Sequence, residues 1–202
     1  EREFPLSQVF LNATFQRFVT DNVRMLQDLH ADLHDGWLRL YATLSYNGLD
    51  VTLSVDLKLV QMELNKTTQL IVFEQIGDTQ LIDAKYPNFL YKIGVRCALF
   101  FYQKVLNDDP LGMILEKLKV IKVKDELLHL DLNRWLGKKR SIIDTLGKVH
   151  VNHAVLREAE LVVLGNVNLA ALFSTMAAEK MERWDDADLN ETEVTPIRQK
   201  EK

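Results

Sequence analysis

Residues 29–59 alternate apolar and polar side chains with a period of two, interrupted only at Asp35-Gly36 and Asn47-Gly48. This period is typical of strands that place one face on a core and the other in water. The two interruptions are two-residue turn sequences of the kind that joins antiparallel strands. The segment therefore predicts a three-stranded antiparallel meander, with positive φ angles at Asn47 and Gly48.

The alternation continues beyond the meander. It slips by one residue at Leu59-Val60, which predicts a β-bulge, and a fourth strand is expected over 69–75. Two more hairpins are predicted over 120–132 and 149–164. Strands of ten or more residues span roughly 33 Å, so we expect a long sheet that twists and curls.

Helical patterns flank these strands. An amphipathic helix is predicted over 6–21 with Ser7 as its cap, and others over 87–107, 110–118 and 169–184. The centre of the 87–107 helix is apolar on nearly all sides, and its length of roughly 30 Å matches the strands. We therefore predict an α+β fold in which a long curved antiparallel sheet wraps around a long apolar helix, with flanking N- and C-terminal helices. The last residues, 185–202, are expected to form a charged flexible tail.

Composition excludes several function classes. The chain carries 25 basic and 29 acidic residues, a net charge of −4, so we expect no nucleic-acid partner. A single cysteine excludes an intrachain disulfide and a multi-cysteine metal site. No glycine-rich phosphate loop, serine elbow or kinase signature occurs. We therefore expect a protein that is not an enzyme and uses neither cofactor nor metal.

The apolar strand face and the apolar helix together define a candidate ligand site. An open space between them would bind acyl chains by burial alone, whereas an ordinary solid core is the equal alternative. We expect Ile93, Cys97 and Phe100 to face the sheet. The candidate lining residues are Leu40, Leu44, Val51, Leu53, Val55, Leu57, Ile93, Cys97, Phe100 and Phe101.

Cations near aromatic residues define a second candidate site. Arg96 interrupts the apolar helix and must reach water, a carboxylate or an anionic head group. The basic run Lys138, Lys139 and Arg140 follows Trp135, a combination found at membrane interfaces but also in solvated loops. These five residues are therefore candidates for head-group or membrane contact.

Three stretches carry a family resemblance: LSQVFLNATFQRF, LHDGWLRLYATLSYNGLDVTLSVDLKL and LKVIKVKDELLHLDLN. Their order resembles the LmeA-like and YpmS-like group of bacterial lipid-binding envelope proteins, which is similar in turn to the tubular lipid-binding (TULIP) fold. The resemblance covers about two thirds of the chain, which departs from the family pattern beyond residue 135. Residues 1–184 are interpreted as a single TULIP-like α+β domain. It implies a curved sheet gripping a helix, an apolar cavity and no catalytic residues.

The resemblance also implies a location. The expected place is the bacterial envelope, periplasmic or outward-facing, and the chain starts at Glu1 rather than methionine, so we expect an upstream signal or anchor segment. The expected function is non-catalytic binding of a lipid or another apolar ligand. The alternative is a membrane-anchored protein-interaction module with a filled core, whose protein partner the sequence does not identify.

Overall fold

The meander predicted from the alternation is present and belongs to one nine-stranded antiparallel sheet in the computed structural model. The structure describes residues 2–65, 67–100, 110–136, 140–146, 148–166, 168 and 170–175. Helices accompany the sheet, so the predicted α+β class with an antiparallel sheet is confirmed. The tail at 185–202 lies outside the described residues.

The strands and helices have the following bounds. The strands are β1 (Arg2–Ser7), β2 (Leu26–His34), β3 (Trp37–Tyr46), β4 (Leu49–Leu64), β5 (Gln69–Lys85), β6 (Lys122–Lys124), β7 (Leu127–Asp131), β8 (Val151–Arg157) and β9 (Glu160–Gly165). The helices are α1 (Gln8–Phe18), α2 (Phe89–Phe100), α3 (Pro110–Lys117), α4 (Leu132–Leu136) and α5 (Arg140–Leu146). The sheet order is β1-β9-β8-β4-β5-β7-β6, while β3 pairs with β2 and β4. No helix among these described elements is long and apolar enough to cross a bilayer.

The turn between β3 and β4 has the predicted geometry. Asn47 has a φ of 50° and Gly48 a φ of 81°, as a type I′ turn requires. The turn sets the register, so that Leu44 pairs with Val51 and Tyr46 with Leu49. The apolar side chains of both strands therefore share one face.

Substitution of Gly48 tests this turn. We expect Gly48→Val to lower the free energy of unfolding by about 1–2 kcal/mol, because a side chain with a Cβ is strained at positive φ. A Cβ here would lie 3.5 Å from the Cβ of Pro87, an ordinary contact, so the cost comes from the backbone. Gly48→Asn is the matched control and should cost less, because asparagine tolerates this conformation. Equal urea midpoints for the valine variant and the wild type would contradict the turn assignment.

The predicted bulge is also present in β4. Leu59 pairs with Phe73 but Gln61 pairs with Val72, which leaves Val60 as the extra residue. Because Val60 is the extra residue, Met62 lies on the buried apolar face. β5, however, runs ten residues past the predicted end at 75. Gly77, with a φ of 82°, and two further register shifts against β4 hide the alternation in that half of the strand.

Helix α1 covers the edge of the meander. Ser7 accepts a hydrogen bond from the Phe10 amide at 3.2 Å, which confirms the predicted cap. Asn12 accepts from the amide of Ala31 at 2.7 Å and donates to its carbonyl at 3.0 Å. Gln8 accepts from the Leu33 amide at 2.7 Å. The two amide side chains thus act as a partner for the free edge of β2.

The prediction that Ile93 and Cys97 lie against the sheet is wrong. Ile93 is 44% exposed and Cys97 is exposed, so the described part of α2 is not enclosed by the sheet. The reason is that the shorter helix α3 packs on the core instead, burying Leu111 and Leu115. The predicted continuation of α2 through 101–107 lies outside the described residues, as does the predicted C-terminal helix beyond residue 175.

Candidate functional site: an apolar groove at the end of the meander

A groove of about 320 Å³ lies where the hairpin end of β3 and β4 meets helices α2 and α3. The strands supply one wall and the helices the other. Its lining residues are Met25, Leu44, Tyr46, Leu49, Val51, Leu53, Val95, Ala98, Leu99, Pro110, Met113, Ile114, Lys117 and Leu118. The lining is almost wholly apolar.

Register and helical spacing explain why these side chains meet. The strand residues come from cross-strand pairs on one sheet face, such as Leu44 with Val51. On α2, Val95 and Leu99 are four residues apart and therefore share one side of the helix. Met113 and Ile114 of α3 line the groove, while Leu111 on the same helix is buried in the core. Helix α3 therefore serves both as part of the core and as a wall.

Lys117 is the only charged residue among the described residues that line the groove. It stands at the last residue of α3 and is exposed, as is Tyr46 at the hairpin. An exposed lysine marks the solvent side of the groove, because an ammonium group keeps its charged head in water. The groove thus combines an apolar interior with a single cation at its mouth.

The structure brings three predicted lining residues into this groove: Leu44, Val51 and Leu53. Leu40 is half-buried, and Val55 and Leu57 are buried in the core. None of these three lines the groove. Ile93 and Cys97 lie on the other side of α2, and the side chain of Phe100 and the whole of Phe101 fall outside what the structure describes.

Sequence reasoning missed the α3 wall. The signal was present as apolar residues at 111, 114, 115 and 118, a helical spacing that predicts an amphipathic helix. The sequence predicts this short helix over 110–118, but the longer apolar run of α2 gives the stronger signal for a wall of the site. Because α2 is apolar on nearly all sides, its sequence does not show that Val95 and Leu99 are the residues that face the groove.

A second, smaller cavity of about 120 Å³ lies at the other end of the same sheet face. Helix α1 covers it, and Phe10 packs edge-on against Phe173 with ring centres 5.8 Å apart. Phe173 belongs to the helical residues 170–175. The N-terminal and C-terminal helices therefore fill most of this end of the face, leaving the groove at the hairpin as the more open space.

Among the candidates for head-group contact, only Arg96 is described with its side chain, and it is exposed. The side chains of Trp135 and Arg140, together with Lys138 and Lys139, lie outside the described residues. No cluster of three or more potential metal ligands occurs in the part of the chain that the structure describes.

The outer face of the meander carries polar cross-strand pairs. Arg39 donates to both carboxylate oxygens of Asp56, at 2.7 and 3.0 Å, and lies over the ring of Trp37. Hydrogen bonding to Asp56 raises the pKa of Arg39 above its ordinary value. His34 stacks on Trp37 with ring centres 4.3 Å apart. These contacts stabilise neighbouring strands on a solvated face.

The exposure of Cys97 can be measured directly. We expect the native protein to react with one equivalent of Ellman's reagent at a rate within about tenfold of the urea-unfolded chain, because the thiol is exposed on α2. Since Cys97 is the only cysteine, the signal needs no mutagenesis to interpret. Labelling that occurs only after unfolding would contradict the position of this helix.

Comparison of the chain with models of protein families, with curated proteins and with solved structures finds no match. The candidate site is therefore defined by its own geometry, an apolar groove with one cation at its mouth.

Proposed function

We propose that this chain binds the acyl chain of a lipid, or a similar apolar ligand, in the groove between the meander and helices α2 and α3, without catalysing a reaction. The observation that carries the proposal is the almost wholly apolar lining of a space of about 320 Å³. The resemblance to LmeA-like and YpmS-like proteins adds a location, outside the cytoplasm in a bacterial envelope. In this proposal the curved sheet encloses the ligand against α2, as the resemblance implies.

The size of the groove suits part of an acyl chain. Ligand sites commonly enclose about 300–1,000 Å³, which puts the groove at the small end of that range. A water molecule takes about 30 Å³ of liquid, and a methylene group is of similar size, so on the order of ten methylenes fit. Each buried methylene contributes about 0.8 kcal/mol. A chain longer than this would extend past the mouth.

The position of Lys117 suggests the chemistry of the ligand's polar end. An ammonium at the mouth of an apolar groove would pair with a carboxylate or phosphate whose acyl chain lies inside. Because Lys117 is exposed, such a pair adds little affinity, about 0.2–1 kcal/mol. Burial of the chain therefore supplies the affinity, and the lysine discriminates between acidic and neutral head groups.

The first experiment asks whether a ligand binds. We expect mass spectrometry of organic extracts of the purified protein to detect a lipid, and cis-parinaric acid, a fluorescent fatty acid, to bind saturably to the delipidated protein. Lys117→Gln should weaken binding of the acid by roughly two- to fivefold and leave binding of its methyl ester unchanged. Lys58→Gln, at an exposed lysine of β4 outside the groove lining, is the matched control. Absence of both extractable lipid and saturable binding would refute the proposal.

One observation favours a second candidate, an interaction module with a filled core. Helix α1 and residues 170–175 leave only about 120 Å³ at the far end of the same sheet face. If the groove also proves unable to take a ligand, the protein would act through its surface, with the core serving only stability. Retained thermal stability after complete delipidation, together with no parinaric acid binding, would support this candidate.

A further inference from the structure

Helix α2 carries a second apolar face that points away from the groove. Phe89 is 70% exposed, Leu90 75% and Ile93 44%, and Cys97 is exposed as well. At 100° per residue these four side chains fall within one arc of about 100°. Val95 and Leu99 project from the opposite side, into the groove. One helix therefore separates the groove from an exposed apolar strip, and such strips are typical of contact sites.

Both charged side chains of α2 are basic. They are Lys92 and Arg96, in a chain whose net charge is −4. These two residues are four positions apart, so both lie along the same side of the strip; Arg96 is exposed and Lys92 is half-buried. Neither takes part in an ion pair among the described residues. Positive charge is thus concentrated beside the exposed apolar side chains.

We propose that this outward face of α2, the strip of Phe89, Leu90, Ile93 and Cys97 with the cations beside it, docks the protein onto an anionic lipid bilayer. A helix that presents aromatic and aliphatic side chains next to basic ones suits the bilayer interface, where the apolar groups enter the acyl boundary. The cations meet anionic head groups, each adding attraction near the surface. Charge complementarity thus selects the bilayer surface as the occupant of this face.

Docking in this way would place the groove directly behind the membrane-facing helix. The inference does not rest on the groove binding lipid, because a helix face can adsorb to a bilayer whatever lies behind it. If both hold, α2 is the wall that a lipid passes on its way between bilayer and groove. Vesicle sedimentation tests membrane docking and cis-parinaric acid titration tests ligand binding in the groove, so either proposal can be refuted without the other.

Vesicle sedimentation of the full chain tests the docking. We expect binding to vesicles of phosphatidylcholine with 30% phosphatidylglycerol to be at least about tenfold stronger than to phosphatidylcholine alone. The double variants Phe89→Gln with Leu90→Gln, and Lys92→Gln with Arg96→Gln, should each weaken binding by about tenfold or more. Phe89, Leu90 and Arg96 are exposed, and the half-buried Lys92 makes no ion pair among the described residues, so circular dichroism and thermal midpoints should stay close to those of the wild type.

Matched controls come from elsewhere on the surface. Val9→Gln removes an apolar side chain that is 79% exposed on α1, and Lys58→Gln removes an exposed cation of β4. Both should bind vesicles as the wild type does. The charge variant should also keep its affinity for cis-parinaric acid, which separates docking from groove binding.

Three results would overturn the docking proposal. The first is failure of the wild type to sediment with anionic vesicles, and the second is binding of the α2 variants that equals that of the wild type. Equal losses in the α1 and β4 controls would show that adsorption is not specific to this face. If size-exclusion chromatography with light scattering instead finds a dimer that the α2 variants convert to a monomer, without vesicle binding, the face is a self-association surface.

Discussion

Leu44→Trp is expected to abolish saturable binding of cis-parinaric acid while changing the free energy of unfolding by less than about 1.5 kcal/mol. Leu44 is half-buried on β3 and lines the groove, so the larger ring enters existing space rather than displacing packed atoms. Tryptophan is also favoured in strands, so the backbone should keep its register. The lost space is the space that the acyl chain needs.

Val55→Trp is the matched control for this substitution. Val55 lies on the same sheet face, paired with Leu40, but it is buried and lines neither cavity. A tryptophan there overpacks the core and should cost roughly 1–3 kcal/mol or more. Urea unfolding measures the stability of both variants, and fluorescence titration measures their binding of cis-parinaric acid. Equal destabilisation by the two substitutions would mean that the groove is closed in solution and that the proposed site does not exist.

Leu111→Ala is expected to have the largest effect on stability, lowering the free energy of unfolding by about 2–5 kcal/mol. Leu111 is fully buried on α3 within the core, so its truncation leaves a cavity that the surroundings fill only partly. Loss of this anchor should also loosen the α3 wall and weaken ligand binding. Differential scanning calorimetry and urea titration measure the change in stability.

Met113→Ala on the same helix is the matched control for Leu111→Ala. Met113 is half-buried and faces the groove, so truncation enlarges a space that already exists instead of creating one inside packed atoms. Its cost should therefore be clearly smaller than that of Leu111→Ala. If the two alanine variants unfold at the same urea concentration, helix α3 does not present these opposite faces to core and groove.

Features governed by neighbouring residues could be predicted from the chain alone. The turn at Asn47-Gly48, the cap at Ser7 and the bulge at Val60 depend on residues only a few positions apart. The period-two alternation also placed Leu44, Val51 and Leu53 on one face, and these are the three predicted residues that line the groove. Local backbone preference and side-chain periodicity carry this information.

The rest depended on the choice of partners far apart in the chain. Residues 2–7 form a strand because β9, more than 150 residues later, offers an edge to pair with. An apolar side of a helix predicts that this side will be buried. It does not predict which of two apolar helices will pack on the sheet. Helix α3 buries Leu111 and Leu115 in the core, so α2 keeps one face on the groove and leaves Phe89 and Leu90 exposed. Competition between helices for one sheet face is settled by packing in three dimensions, which no local pattern encodes.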